Sequence, residues 1–227
     1  MPPLIHHPNW IRSRVRGTYI EHWKNVNPRE VLSTLSNAPL EKRGSGMVTI
    51  HELGTRRVSV RTVPSHVTKN YLPLFETVNR KAALIGLPLA VVRTRKEWKV
   101  VMHWKPHRHS MRDYVRDAPL PNVRKALWSA ATQLGKLHGA GFIHGHAQVI
   151  GNLVVNDRMN TQLVDPKFLY ESTARAEQYA EYRIFIQDIH HPLQRRMNPG
   201  QFLKLRRLLR HQYNRAFERA RKPASSE

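Results

Sequence analysis

Apolar and polar positions first alternate regularly near residue 48. In GSGMVTIHELGTRRVSVRTVP, Val48 and Ile50 alternate with polar neighbours, and Val58 and Val60 repeat the pattern. That period predicts a hairpin turning at Leu53-Gly54-Thr55-Arg56. The next segment changes period: Tyr71, Leu74, Phe75, Val78, Ala82 and Ile85 recur at helical spacing, with Gly86 as the stop. LPLAVVRTRKEWKVVMHW returns to alternation and predicts a second hairpin, turning near Arg95-Lys96. Pro106 to Ser110 reads as a connector rich in His and Arg. Ser110 then caps a short helix in SMRDYVRD.

The clearest helical stripe lies in PNVRKALWSAATQLGKLHGAG. Val123, Leu127, Ala130, Ala131, Leu134 and Leu137 share one face, and Gly139 or Gly141 ends the helix. NLVVNDRMNTQLVDP predicts a tight hairpin, Leu153 to Val155 against Gln162 to Val164. From Ala174 onward the pattern is helical, and the last helix carries Phe202, Leu205, Leu208, Leu209 and Tyr213 on one face. Residues 1–40 scatter Trp10, Tyr19 and Trp23 among basic residues and prolines. They read as a loosely packed extension with one helix from Pro28 to Ser36, and PASSE reads as a disordered tail. Strands come first and helices later, so the expected class is α+β with a β-rich lobe and a helical lobe. The expected divisions are an extension over 1–43, an N-lobe over 44–104, a helical C-lobe over 105–222 and a tail over 223–227.

Composition narrows this picture. The 227 residues suit one domain with two lobes, and 40% hydrophobic with 24% charged content fits a globular chain. No apolar run reaches the roughly 18 residues a membrane span needs, and a cytoplasmic location is the default expectation. With no cysteine, disulfides and thiolate metal sites are excluded. His144-Gly145-His146, His107-Arg108-His109 and His190-His191 lack an H-E-x-x-H frame or cysteine partners, so they do not spell a zinc site.

Charge adds a partner class. Thirty-eight Lys and Arg against 16 Asp and Glu give a formal +22, a field that draws phosphate-rich partners. Lys204, Arg206, Arg207, Arg210, Arg215, Arg219, Arg221 and Lys222 crowd the last helix, and Arg12, Arg14 and Arg16 stand near the start. Such runs neutralise nucleic-acid phosphates, or lie on an anionic membrane, or simply solvate the back of an apolar stripe.

Between 134 and 166 the pattern becomes specific. LGKLHGAGFIHGHAQVIGNLVVNDRMNTQLVDP holds Leu137-His138, Ile143-His144-Gly145, Asn152 and Asp165 around a hairpin. It resembles the catalytic and metal-binding loops of the protein-kinase-like superfamily, most of all its small atypical RIO, Bud32 and lipopolysaccharide kinases. The likeness is close over 134–166 and extends in element order over about 44–190. A tight hairpin returns the chain to its start, so Asn152 just before it and Asp165 just after it can meet at one end. Two oxygen ligands so placed suit Mg²⁺ held against nucleotide phosphates, with Mn²⁺ as its substitute.

The resemblance implies further roles. Val58-Ser59-Val60-Arg61 falls where the family carries its V-A-x-K strand, which assigns Arg61 to phosphate and Glu76 as its partner. Gly44-Ser45-Gly46 becomes a shortened phosphate-covering loop, placed before the first strand. Met102 to Lys105 becomes the hinge beside adenine. The chain departs from the family at four points: His146 replaces the catalytic-loop Asp, one extra residue precedes Asn152, Arg61 replaces Lys, and Pro166-Lys167 displaces a Gly. His146 lacks a carboxylate's charge but its ring accepts a proton. The expected function is therefore an atypical ATP- and Mg²⁺-using phosphotransferase, or a nucleotide-binding pseudokinase. The alternative is a non-catalytic basic protein that binds RNA or other nucleic acid on a kinase-like scaffold.

Overall fold

The computed structural model describes residues 8–43, 48–64, 78, 88–103, 108–145, 149–164 and 169–222. The chain divides into two compact units, Met1–Thr77 with Gly86–Pro106 and Val78–Ile85 with His107–Glu227.

The first unit is built on an antiparallel sheet of β1 (Trp10–Val15), β2 (Thr18–Trp23), β3 (Glu41–Arg43), β4 (Val48–Leu53), β5 (Arg56–Pro64), β6 (Ala90–Arg93) and β7 (Glu97–His103). Their spatial order is β1-β2-β6-β7-β5-β4-β3. Both expected hairpins form. β4 and β5 turn through Gly54-Thr55, with Leu53 opposite Arg56 and Gly54 at φ +58°, where a Cβ is disfavoured. β6 and β7 turn where Arg93 faces Trp98.

Residues 10–23 correct the expectation of a loose extension. β1 and β2 form a hairpin around Arg16-Gly17, both at positive φ, and β2 pairs with β6. The basic residues that made this stretch look unstructured, Arg12, Arg14 and Arg16, are exposed, and one acidic residue is internal. Glu21 is fully buried, accepting from the Trp10 indole at 3.1 Å and from Arg12 at 2.7 Å, and it also pairs with Arg93. A buried carboxylate is tolerated only with such partners. The helix α1 (Pro28–Ser36) forms as expected, with Asn27 accepting from the Arg29 amide. Its Val31 packs with Ile20, Val58, Val60, Ala90, Val92 and Val101 on one sheet face. Period two sends Ser59 and Arg61 to the opposite face, where Arg61 stands across from Val100 and Met102 across from Ser59. Val63, Trp98 and Val100 are buried there.

The second unit holds α2 (Met111–Asp117), α3 (Leu120–Gly139), α4 (Arg175–Leu193) and α5 (Pro199–Arg221). Ser110 caps α2 by accepting from the Asp113 amide at 3.1 Å. Residues expected as a connector contribute β8 (Arg108–Ser110), which pairs with β10 (Leu153–Asn156). The expected hairpin is β10 with β11 (Thr161–Leu163), Leu153 facing Leu163. β9 (Phe142–Ile143) pairs with β12 (Tyr170–Glu171).

The whole predicted stripe of α3 is buried. Gly139 lies inside the helix, and Gly141, at φ +87°, follows its end. A Cβ on Gly135 would come to 2.9 Å from the Ala216 Cβ, and one on Gly139 to 2.9 Å from the Ala220 Cβ. The backbones of α3 and α5 therefore touch through small residues on both sides. α5 opens with a reciprocal Asn198–Gln201 capping box. It buries Leu205, Leu209, Tyr213, Ala216 and Phe217, whereas Leu208, expected on the apolar face, is 47% exposed. No helix among the described residues is long and apolar enough to cross a membrane. The helix expected over Tyr71 to Ile85 lies outside the described residues apart from Val78, which is buried.

Candidate functional site

Chemistry in the second unit gathers where α3 ends. After Gly141 the chain enters the short buried strand β9 and reaches His144 and Gly145, the latter at φ +74°. Both backbone N–H groups donate to Glu181 of α4, His144 at 3.1 Å and Gly145 at 2.8 Å. The same carboxylate accepts from His138 Nε2 at 2.8 Å. The other ring nitrogen, Nδ1, shares a hydrogen bond with the Tyr213 hydroxyl at 2.7 Å. Arg175 in turn donates to the Tyr213 oxygen at 3.2 Å. Burial opposes ionisation of Glu181. The His138 hydrogen bond, the nearby His138 and His144 rings and the His144 amide together hold its carboxyl below the usual range.

Seven residues further along α4, two helical turns, stands Asp188. It accepts from the Ile150 amide at 3.3 Å. Burial pushes this carboxyl up, opposed by hydrogen bonds from Ile150 and Val149 and by Arg112. One helix thus grips the chain at 144–145 and again at 149–150, on either side of 146–148. Arg196 ties the same region to α2, donating to the Val115 and Ala118 carbonyls at 2.6 Å each.

The hairpin supplies the third contact. Val164 N donates to Asn152 O at 2.8 Å, closing the open end where β10 begins and β11 finishes. His144 Nε2 donates to the Val164 carbonyl at 2.8 Å. Asn152 is buried at 7% exposure, on the last residue of a 3₁₀ turn over Ile150–Asn152. Segments 144–145, 152–153 and 164 are therefore bonded into one frame.

Of the residues singled out in the sequence, Arg61 and Met102 share one sheet face of the first unit, and Asn152 sits in the frame of the second. Gly44, Gly46, Glu76, His146 and Asp165 lie outside the described residues. One placement changes: β3 pairs with β4, so Gly44 and Gly46 fall between two strands and not ahead of the first. Sequence reasoning missed Glu181 and Asp188, took His138 only as part of a motif, and took Tyr213 only as part of an apolar face. The available signal was two carboxylates seven apart in α4, interleaved with Tyr182, Phe185, Ile186 and Ile189.

No family model and no curated protein matches the chain. Among solved structures it is similar to a divergent kinase lacking the glycine-rich loop, which regulates membrane ultrastructure of the Toxoplasma parasitophorous vacuole. Identity is 15% over 95% of this chain and 75% of that one, with a TM-score of 0.51. At such identity the likeness is one of fold. The β-rich sheet of the first unit and the helical second unit make this a kinase-like two-lobe scaffold.

Proposed function

We propose that the chain is an atypical kinase-like phosphotransferase, or a nucleotide-binding pseudokinase, akin to the small RIO, Bud32 and lipopolysaccharide kinases. The observation that carries this reading is the Val164–Asn152 hydrogen bond at the hairpin's open end, because Asp165 is the next residue in the chain. Amide and carboxylate oxygens are the donors a hard divalent cation takes, and the buried Asn152 carboxamide fits that set. Asn152 and Asp165 would hold Mg²⁺, which supplies charge neutralisation for transfer of a nucleotide phosphoryl group. Glu181 and Asp188 hold the backbone at 144–145 and at Ile150, and His146, between them in sequence, is the assigned proton acceptor. Arg61 with Glu76, Gly44 with Gly46, and Met102 keep their assigned parts toward phosphates and base. The solved neighbour is a kinase without a glycine-rich loop, so the small Gly44-Ser45-Gly46 motif is no objection to this assignment.

A thermal-shift titration with ATP tests it. Wild-type protein should gain melting temperature only when Mg²⁺ or Mn²⁺ is present, and Asp165→Ala should abolish that gain. No shift with any nucleotide overturns the reading. His146→Ala should keep the shift and lose any phosphate transfer.

A further inference from the structure

A second feature of α4 and α5 stands apart from that frame. The two helices, joined by a short turn, leave a surface groove of about 570 Å³. That volume falls in the range of small-ligand sites. Glu181 and Asp188 take no part in lining it, and no lining residue is acidic. Three lining residues are arginines: Arg183 from α4 and Arg206 and Arg210 from α5. All three are exposed, and none forms an ion pair among the described residues. Arg210 instead lies over the Tyr179 ring at 5.7 Å.

An independent observation points the same way. Tyr182 lines the groove and is only 2% exposed, yet its hydroxyl has no hydrogen-bond partner. A buried hydroxyl without an acceptor is costly and uncommon. Burial raises its pKa, with Arg206 and Arg210 opposing, so it remains an O–H donor at neutral pH. Donors from two helices therefore surround one groove that offers no anion of its own. The lining also carries an apolar strip beside Gln187 and His190: Ile186 is nearly buried, Leu203 is 46% exposed, and Phe202 packs on His190 at 4.6 Å.

We propose that this groove binds a phosphorylated small molecule. Its phosphate is held by Arg183, Arg206, Arg210 and the Tyr182 hydroxyl, and its carbon skeleton lies on Ile186, Phe202 and Leu203. Guanidinium forks suit phosphate oxygens, and the apolar strip suits a ring or chain carried on the ester. A single ligand is favoured over a polyanion because the three cations come from two helices around one ligand-sized space. Other cations of α5, such as Arg207 and Arg215, do not line it. The assignment shares no residue with the phosphoryl-transfer site and needs no divalent ion.

Titration of the full chain with phenyl phosphate, in EDTA and at low salt, followed by amide NMR shifts, tests it. Shifts should map to residues 179–190 of α4 and 199–210 of α5, and inorganic phosphate should bind more weakly. Arg206→Gln with Arg210→Gln should weaken phenyl phosphate about tenfold or more, the loss of at least one charge-assisted hydrogen bond. Arg207→Gln with Arg215→Gln removes the same charge from the same helix and should leave binding intact. Equal loss in both pairs reduces the effect to net charge and overturns the site. So does binding that survives the first pair, or no binding at all. Equal affinity for inorganic phosphate overturns the apolar strip. If only anionic-lipid vesicles or single-stranded oligonucleotides bind through Arg206 and Arg210, the partner is a macromolecule and the small-molecule assignment falls. Failure of the phosphoryl-transfer reading is separate, since it shows only with Mg²⁺ and nucleotide.

Discussion

Glu181 concentrates several bonds in one side chain: three hydrogen bonds from His138, His144 and Gly145 converge on its buried carboxylate. Replacing it by Gln keeps the shape but turns an N–H₂ toward N–H donors. The expected loss is about 2–3 kcal/mol, the range for hydrogen bonds to a charged group and an unsatisfied buried donor. The sign of its pH dependence follows from the depressed folded-state value. A carboxyl harder to protonate when folded contributes its full stability above the ordinary glutamate value of 4.5. That contribution fades as pH falls toward the lower folded value. Melting temperature measured from pH 7 to pH 3 should drop more steeply in wild type than in Glu181→Gln. Parallel curves would contradict the role given to this residue.

At the scale of elements, the contact of α3 with α5 is set by what is missing from it. Gly135 and Gly139 face Ala216 and Ala220 so closely that any added Cβ meets backbone, and neither helix can yield without repacking. Gly139→Ala should therefore destabilise the protein by about 1–3 kcal/mol or more, despite alanine's better helix propensity. Urea unfolding checks this, and an unchanged midpoint would show that the helices are free to separate. Sequence periodicity could not reveal this contact, because a glycine carries no hydropathy signal and Gly139 looked like a stop. Where the signal was apolar spacing, the elements were legible: Val58 and Val60, the α3 stripe, and Leu153 against Leu163. Charge hid the rest. Basic residues and prolines disguised the first hairpin as a loose extension, and nothing in the helical pattern after Ala174 singled out Glu181 or Asp188. Glu21 and Glu181 are buried carboxylates, and Arg93 and His138, which pair with them, come from distant segments that no local window contains. The hairpin's open end was legible because Asn152 and Val164, bonded across it, are separated by two short strands and a turn.

The whole molecule combines a kinase-like scaffold with a formal charge of +22. The two facts act at different ranges. The field draws anions from solution, while the bonds of Glu181, Asp188 and the hairpin hold segments 144–145, 149–150 and 164 in place at short range. Asn152 and Asp165 are proposed to hold a divalent ion beside that frame. Mn²⁺ with ATP, added in small amounts to isotopically labelled protein, should broaden the amide signals of Asn152, Leu153 and Val164 first. The same addition to Asp165→Ala should leave them sharp. Broadening elsewhere in the chain, or unchanged broadening in the variant, would contradict the metal-binding role of this hairpin.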